Sequence, residues 1–480
     1  MKESSKFYSS LGLLFILNVI IKPLWIFGID RQVQNAVGTE AYGIYFSLFN
    51  FSIVFSFLLD WGLTGFFNRQ LAASEGNIIN KAGGFLVVKL LFAVLYTVVV
   101  VGVAYTAGVR QWYILTGVIA IQVLTSLFVF LRSIVTAQQW FGTDAWLSVL
   151  DKGLMILVCG SFVYFPSLSG GITLEIFLQV QIACTLLAIG VVLVILLRKG
   201  IRLSFKNSLP DKKVLRLALP FAIIVLLMSV HYRLDGFLLE RLHKNGAHEA
   251  GLYAGAYRLL DASNMIGYLL ASFLLPFIAR HWSRGNDIKE VVINSRHLLL
   301  VFSMVIVSTA FFLAPWLQQV LYHNNDRAGI EILQWCLPAL IGYSLVQVYG
   351  TVMTATGFVV PFCYITLLSV ALNIVLNLFL IPAYGAKGCC IAALASQGFC
   401  GIGTMLYVQQ KSGIKIHFRS LLMYIFIGVI LCSFYYLCKD INISKWLLIG
   451  VAGFITVILA ILFKLVDINK WRNILIHTNS

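Results

Sequence analysis

Ten ionisable residues lie inside stretches of sequence that are otherwise continuously apolar: Lys22, Asp60, Lys89, Arg132, Asp151, Lys152, Arg233, Asp235, Arg258 and Asp261. A charge in such surroundings costs free energy unless it is paired or used, so these residues are where chemistry is sought first. Six are cations and four are acids, which leans towards an anionic partner. Arginine suits that partner well. Its planar fork binds phosphate oxygens two at a time and stays charged when water is removed. Arg258 and Asp261 stand three apart on one helical face and can neutralise each other. Arg233 and Asp235, two apart, point in different directions. Lys22 sits deep in its apolar run, and Pro23 after it frees a backbone carbonyl and kinks the helix. Asp60 and Asp151, the latter next to Lys152, read either as halves of ion pairs or as acids that bind a proton or sodium.

No enzymatic constellation accompanies them. The sequence holds no GxxxxGK[ST] phosphate loop, no HExxH and no DxD, and His231, His243, His248 and His281 are unclustered. The nine cysteines show neither CxxC nor Cys/His spacing, so small buried hydrophobes are expected and not a zinc site or disulfides. No cofactor is expected.

The elements that must position these charges are membrane helices. Hydrophobic residues make up 60% of the chain and charged ones 11%, with a mean hydropathy of +0.90; soluble domains carry roughly 25% charged residues. Fourteen apolar runs of spanning length follow one another. They fall near 9–29, 42–67, 82–107, 113–138, 145–165, 174–197, 214–239, 250–278, 292–320, 329–355, 360–380, 386–409, 420–438 and 446–465. With the N-terminus cytoplasmic, 21 basic residues fall in inner segments and 8 in outer ones. That bias places both termini inside. The net charge of +16 is therefore spread over short connections, which excludes a nucleic-acid-binding patch. On this topology Lys22, Arg233, Asp235, Arg258 and Asp261 lie in the outer half of the bilayer. Asp60, Lys89, Arg132, Asp151 and Lys152 lie in the inner half. Cations at both depths fit a path that hands an anionic group across.

Glu40-Ala-Tyr-Gly-Ile-Tyr45 and Glu249-Ala-Gly-Leu-Tyr253 each open a span, and each follows a span that ends near an aspartate, Asp30 or Asp235. The expected plan is an all-α membrane protein with two six-helix lobes in parallel repeat around a central cavity. Residues 1–198 form the N-lobe and 214–411 the C-lobe. Between them 199–213 is a basic cytoplasmic linker, and 412–480 carries two further helices and a cytoplasmic tail.

Leu252-Tyr-Ala-Gly-Ala-Tyr-Arg258-Leu-Leu-Asp261, continuing to Leu275-Pro276-Phe-Ile-Ala-Arg280, resembles the matching stretch of the lipid II flippase family. Val37-Gly-Thr-Glu-Ala-Tyr-Gly43, Leu59-Asp-Trp-Gly-Leu63 with Asn68-Arg69, and Tyr384-Gly-Ala-Lys-Gly-Cys-Cys-Ile-Ala392 resemble Wzx-type O-antigen and capsule flippases. The resemblance runs over nearly the whole chain. It points to the polysaccharide-transport branch of the multidrug/oligosaccharidyl-lipid/polysaccharide (MOP) superfamily, which also holds the MATE exporters. It implies alternating access and a cargo of undecaprenyl-pyrophosphate-linked oligosaccharide. The cargo would cross from the cytoplasmic to the outer leaflet of a bacterial inner membrane. It also implies membrane lipid, a polysaccharide polymerase and chain-length machinery as partners. Arg258 matches a cavity arginine of the lipid II flippases, and Asp261 stands where they carry an acid. The bases of their first two spans are not matched position by position; Lys22 is the substitute on offer, with Arg233 beside it. Asp235, Asp60 and Asp151 are the supporting or ion-coupling acids. An ion-coupled multidrug antiporter of the same fold is the alternative. A membrane oligosaccharide polymerase or ligase fits less well, because the outer connections are too short for an active-site loop.

Overall fold

The computed structural model describes residues 2–62, 82–138, 140–165, 170–201, 212–323, 326–413, 418–439, 441, 443–463 and 465. Most of the basic linker, Asn68-Arg69 and the C-terminal tail lie outside the described residues. Among the described residues the chain is helical and contains no strand. In hydrocarbon a lone segment can satisfy its N–H and C=O groups only by coiling on itself.

The helices are α1 (Lys2–Pro23), a π-helical segment (Leu24–Asp30), α2 (Arg31–Val37), α3 (Thr39–Val54), α4 (Phe57–Asp60), α5 (Ala82–Thr106), α6 (Trp112–Ala137), α7 (Phe141–Tyr164) and α8 (Leu174–Arg198). They continue as α9 (Lys212–Leu242), α10 (Gly246–Ser283), α11 (Lys289–Phe312), α12 (Ala314–Tyr322), α13 (Arg327–Cys336), α14 (Ala339–Ala355), α15 (Val359–Ser412), α16 (Phe418–Leu437) and α17 (Lys445–Leu462). Twelve helical segments of the described residues are long and apolar enough to cross a bilayer. One of them, the 54-residue α15, is broken at Gly385, whose φ of 54° and ψ of −133° are not helical. Dividing α15 there and adding α3 gives fourteen crossings, in keeping with the expected number.

The chain forms two compact units, Met1–Ala254 and Gly255–Ser480. Their boundary differs from the lobe boundary drawn at the basic linker, because α9 and the first turns of α10 pack on α3. Phe237 stacks on Phe51 with ring centroids 4.4 Å apart, and Gly236 leaves room for the Phe46 ring. Above them two backbones meet. A Cβ at Gly43 would collide with the Ala247 carbonyl, and one at Gly251 with the Thr39 carbonyl. Thr39 and Ala247 are 208 positions apart, as are Gly43 and Gly251, so the contact is reciprocal, as across a two-fold axis. This pairing sets Gly43-Ile-Tyr45 against Gly251-Leu-Tyr253. It shifts the repeat by one residue from the alignment on the two glutamates. The glycines, where backbones touch, fix the register; the glutamates, Glu40 exposed and Glu249 half-buried, do not.

In the second unit α14 lies against the C-terminal half of α15, where a Cβ at Gly342 would press on the Gln397 backbone. Ser303 and Ser344 join α11 to α14 at 2.7 Å. Two tyrosines tie α16 to α11: Tyr424 to His297 at 2.5 Å and Tyr435 to Thr309 at 2.8 Å.

Candidate functional site

Pro23 removes one backbone donor, and the helix widens into the π turn over Leu24–Asp30. One carbonyl of that turn, Gly28, accepts the Tyr164 hydroxyl of α7 at 2.7 Å. The turn ends on Asp30, which is buried and accepts the Tyr42 hydroxyl at 2.8 Å. Asp235 has a similar neighbour, Tyr253, at 3.4 Å. Both aspartates singled out by the repeat thus face a tyrosine of the following span.

Beside the π turn, α1, α6 and α7 form a charged seam within the first unit. Arg132 donates through Nε to Asp144 at 2.8 Å. Lys152 lies 3.5 Å from Asp151 and caps the Trp25 ring from 5.2 Å, while the same ring stacks on Phe177. Lys22 is half-buried and lies within electrostatic range of Arg132, Asp151 and Lys152. The two acids sit beside Arg132 and Lys152, and Lys22 joins no ion pair among the described residues. Three cations against two acids leave the seam one positive charge in surplus. Asn18, buried one turn before Lys22, closes α1 on α7 by donating to Ser148 at 2.9 Å.

The other sequence-selected residues are placed as follows. Asp60 on α4 pairs with Lys89 on α5 at 2.6 Å, and Lys89 is only 2% exposed. Arg233 on α9 is half-buried and Asp235 buried, both in the first unit. Arg258 and Asp261, half-buried on α10, belong to the second unit. The seam therefore gathers Lys22 and Asp151 with three residues not selected as binding groups, Arg132, Asp144 and Lys152.

One residue that the sequence misplaced is Arg296. Its position at a span edge suggests a cytoplasmic surface cation, yet it is 1% exposed on α11. It donates to the Tyr349 hydroxyl at 3.2 Å and lies 3.4 Å from the His297 ring. Two tyrosines and a histidine at span positions 349, 424 and 297 were the available signal. Their convergence depends on packing between α11, α14 and α16. None of the nine cysteines forms a disulfide, and no metal-competent cluster occurs among the described residues.

No protein-family model and no curated protein sequence matches the chain. Solved structures do match in fold. The inward-facing conformation of a multidrug resistance MATE family transporter of the MOP superfamily superposes with a TM-score of 0.65 at 14% identity. That match covers 84% of this chain and 98% of the transporter. The lipid II flippase MurJ in its inward closed conformation gives 0.61 at 14% identity, covering 94% of this chain and 98% of the flippase. An outward-facing MATE transporter gives 0.59 at 14% identity, with 86% and 96% covered. The chain therefore has the MATE- and MurJ-like helical membrane fold.

Proposed function

We propose that the chain is a flippase. It carries an undecaprenyl-pyrophosphate-linked oligosaccharide from the cytoplasmic to the outer leaflet of a bacterial inner membrane by alternating access, and so feeds O-antigen or capsule synthesis. The observation that carries this reading is the seam of α1, α6 and α7, with its surplus positive charge within membrane-crossing helices. A lipid diphosphate leaving the headgroup layer needs replacement partners, because an unpaired anion in low dielectric is prohibitively costly. Of the seam's three cations Lys22 is the one without an ion-pair partner among the described residues, and it meets that need at least cost. Arg233, and Arg258 with Asp261 in attendance, offer further cations to the diphosphate in transit. The fold supports the same reading. The match to the lipid II flippase takes in about a tenth more of the chain than the match to the first multidrug transporter, 94% against 84%.

Without a nucleotide site in the sequence, transport runs on an ion gradient, the membrane potential or consumption of the product. Asp151, in the seam, is the coupling acid to test first, with Asp60 and Asp235 after it. Both termini face the cytoplasm. Membrane lipid surrounds the carrier, and the polymerase and chain-length machinery take its product.

The superposition on multidrug MATE structures favours a second reading, an ion-coupled drug antiporter. Proteoliposomes separate the two. With an imposed proton or sodium gradient, the protein should move a fluorescent undecaprenyl-diphosphate oligosaccharide between leaflets. Lys22→Ala should slow this strongly, and Lys22→Arg should preserve it. Gradient-driven export of cationic dyes with no movement of the lipid-linked sugar would overturn the flippase.

A further inference from the structure

Four consecutive polar residues of α11, Asn294, Ser295, Arg296 and His297, are buried. Arg296 lies about 10 Å along the helix from Lys289, within a segment long and apolar enough to cross a bilayer. Among the described residues no carboxylate pairs with it. Its partners are the Tyr349 and Tyr424 hydroxyls and the His297 ring, two phenols and an imidazole. A buried guanidinium needs a negative partner, because a lone charge in low dielectric costs more than packing repays. Hydrogen bonding shows the same deficit. A guanidinium holds only donors, and a neutral imidazole accepts at one nitrogen. His297 faces the Tyr424 hydroxyl through Nδ1 at 2.5 Å and Arg296 Nη2 through Nε2 at 3.4 Å. If Nδ1 accepts from Tyr424, Nε2–H meets the guanidinium donor to donor. If Nε2 accepts from Arg296, Nδ1–H takes the Tyr424 oxygen and leaves the Tyr424 proton to give elsewhere. Arg296 Nε is buried with no acceptor, and so is Asn294 Nδ2, one turn before His297 on the same face. Tyr349 accepts from Nη1 at 3.2 Å and keeps its own proton to donate. The cluster has both donors and positive charge in excess.

We infer that Arg296 holds a small inorganic anion of the chloride class, occluded where α11, α14 and α16 meet. One anion answers both deficits: it balances the charge and accepts the spare N–H and O–H bonds. A halide suits the place, because it accepts donors from any direction and is hardly larger than a water. Water would satisfy the donors and leave the charge unbalanced. A phospholipid phosphate does not suit a guanidinium that is 1% exposed, since its ester chains would have to leave through the helices that seal it. For the same reason the anion is taken up as the helices pack, and it leaves only when they part. It is a structural ion of the second unit, independent of what the carrier moves.

The test uses the purified full-length protein, prepared in sodium chloride and desalted into sodium gluconate. Heat-denatured wild type should release about one chloride per chain, matching one guanidinium, when the anions are counted by ion chromatography. Arg296→Met, similar in length and uncharged, should release none. Wild type should also melt several degrees higher in chloride than in gluconate, because the anion binds the folded chain alone. Should Arg296→Met fail to fold, Tyr349→Phe removes one donor to the anion and should narrow the gap in melting temperature between the two salts. Wild type that releases no chloride and melts alike in both salts overturns the inference. Tyrosinate absorbance in wild type at neutral pH, lost in Tyr349→Phe, also overturns it, since a phenolate is then the counter-charge. Chloride retained equally by Arg296→Met places the ion elsewhere and overturns the site. Phosphorus released in place of chloride overturns it too, since the partner is then a lipid phosphate.

Discussion

Arg296 and Arg258 are both arginines on membrane-crossing helices, but their surroundings give them different work. Arg296 is sealed in, with a phenol and an imidazole as hydrogen-bond partners. It holds α14 to α11, and nothing reaches it without unpacking them. Arg258 is half-buried, one turn from Asp261, and on the proposed function is the arginine that cargo could reach. Arg258→Ala should therefore abolish surface glycan with the protein still in the membrane. Arg258→Lys should recover little, because an ammonium cannot reproduce the fork; immunoblots for glycan and protein on the same cells decide this. Asp60 differs again. Its pairing with the buried Lys89 makes it an anchor between α4 and α5. Asp60→Ala alone takes that carboxylate away from a buried ammonium, at a cost of about 3–5 kcal/mol. Combining it with Lys89→Leu should restore the melting temperature. If the restored double variant no longer transports, Asp60 is a coupling acid after all.

At the scale of elements, the spans were legible because hydropathy and length alone dictate them. The irregular backbone was legible where Pro or Gly forces it, at Pro23 before the π turn and at Gly385 within α15. What spacing could not reveal were partners on different helices. Arg132 finds Asp144 and Lys152 finds Trp25 only after α6, α7 and the π turn have packed. Arg296 was misread because charge bias counts a cation at a helix end as a surface residue, whatever hydroxyls later converge on it. One of those hydroxyls, Tyr424, also helps to dock α16. Tyr424 and Tyr435 grip α11 eleven residues apart on α16, at His297 and Thr309. Each bond is worth about 1 kcal/mol. Tyr424→Phe with Tyr435→Phe should accelerate hydrogen exchange in α16 while α14 keeps its protection. Unchanged exchange in α16 would mean that apolar packing alone holds it.

For the molecule as a whole, alternating access requires a seal at each membrane face that forms and parts in turn. The reciprocal contact of Gly43 with Ala247 and Gly251 with Thr39 has the character of such a seal. It lies at the end of the first crossing opposite the N-terminus, which the proposed orientation makes the outer face. It joins matching positions of the two sequence repeats, and it is built from backbone, so it closes fully or not at all. Glycine at both positions is what lets the backbones meet. Gly43→Leu with Gly251→Leu should hold the seal apart. Asn50 reports on it: two turns below Gly43 it is 1% exposed and faces Gly236 of α9. In a cysteine-free background, Asn50→Cys should resist a membrane-impermeant maleimide added to intact cells. With both leucines present it should label readily, and transport should fall because the outer end cannot close behind the cargo. Equal labelling with and without the leucines would show that this contact is static packing and that the outer seal lies elsewhere.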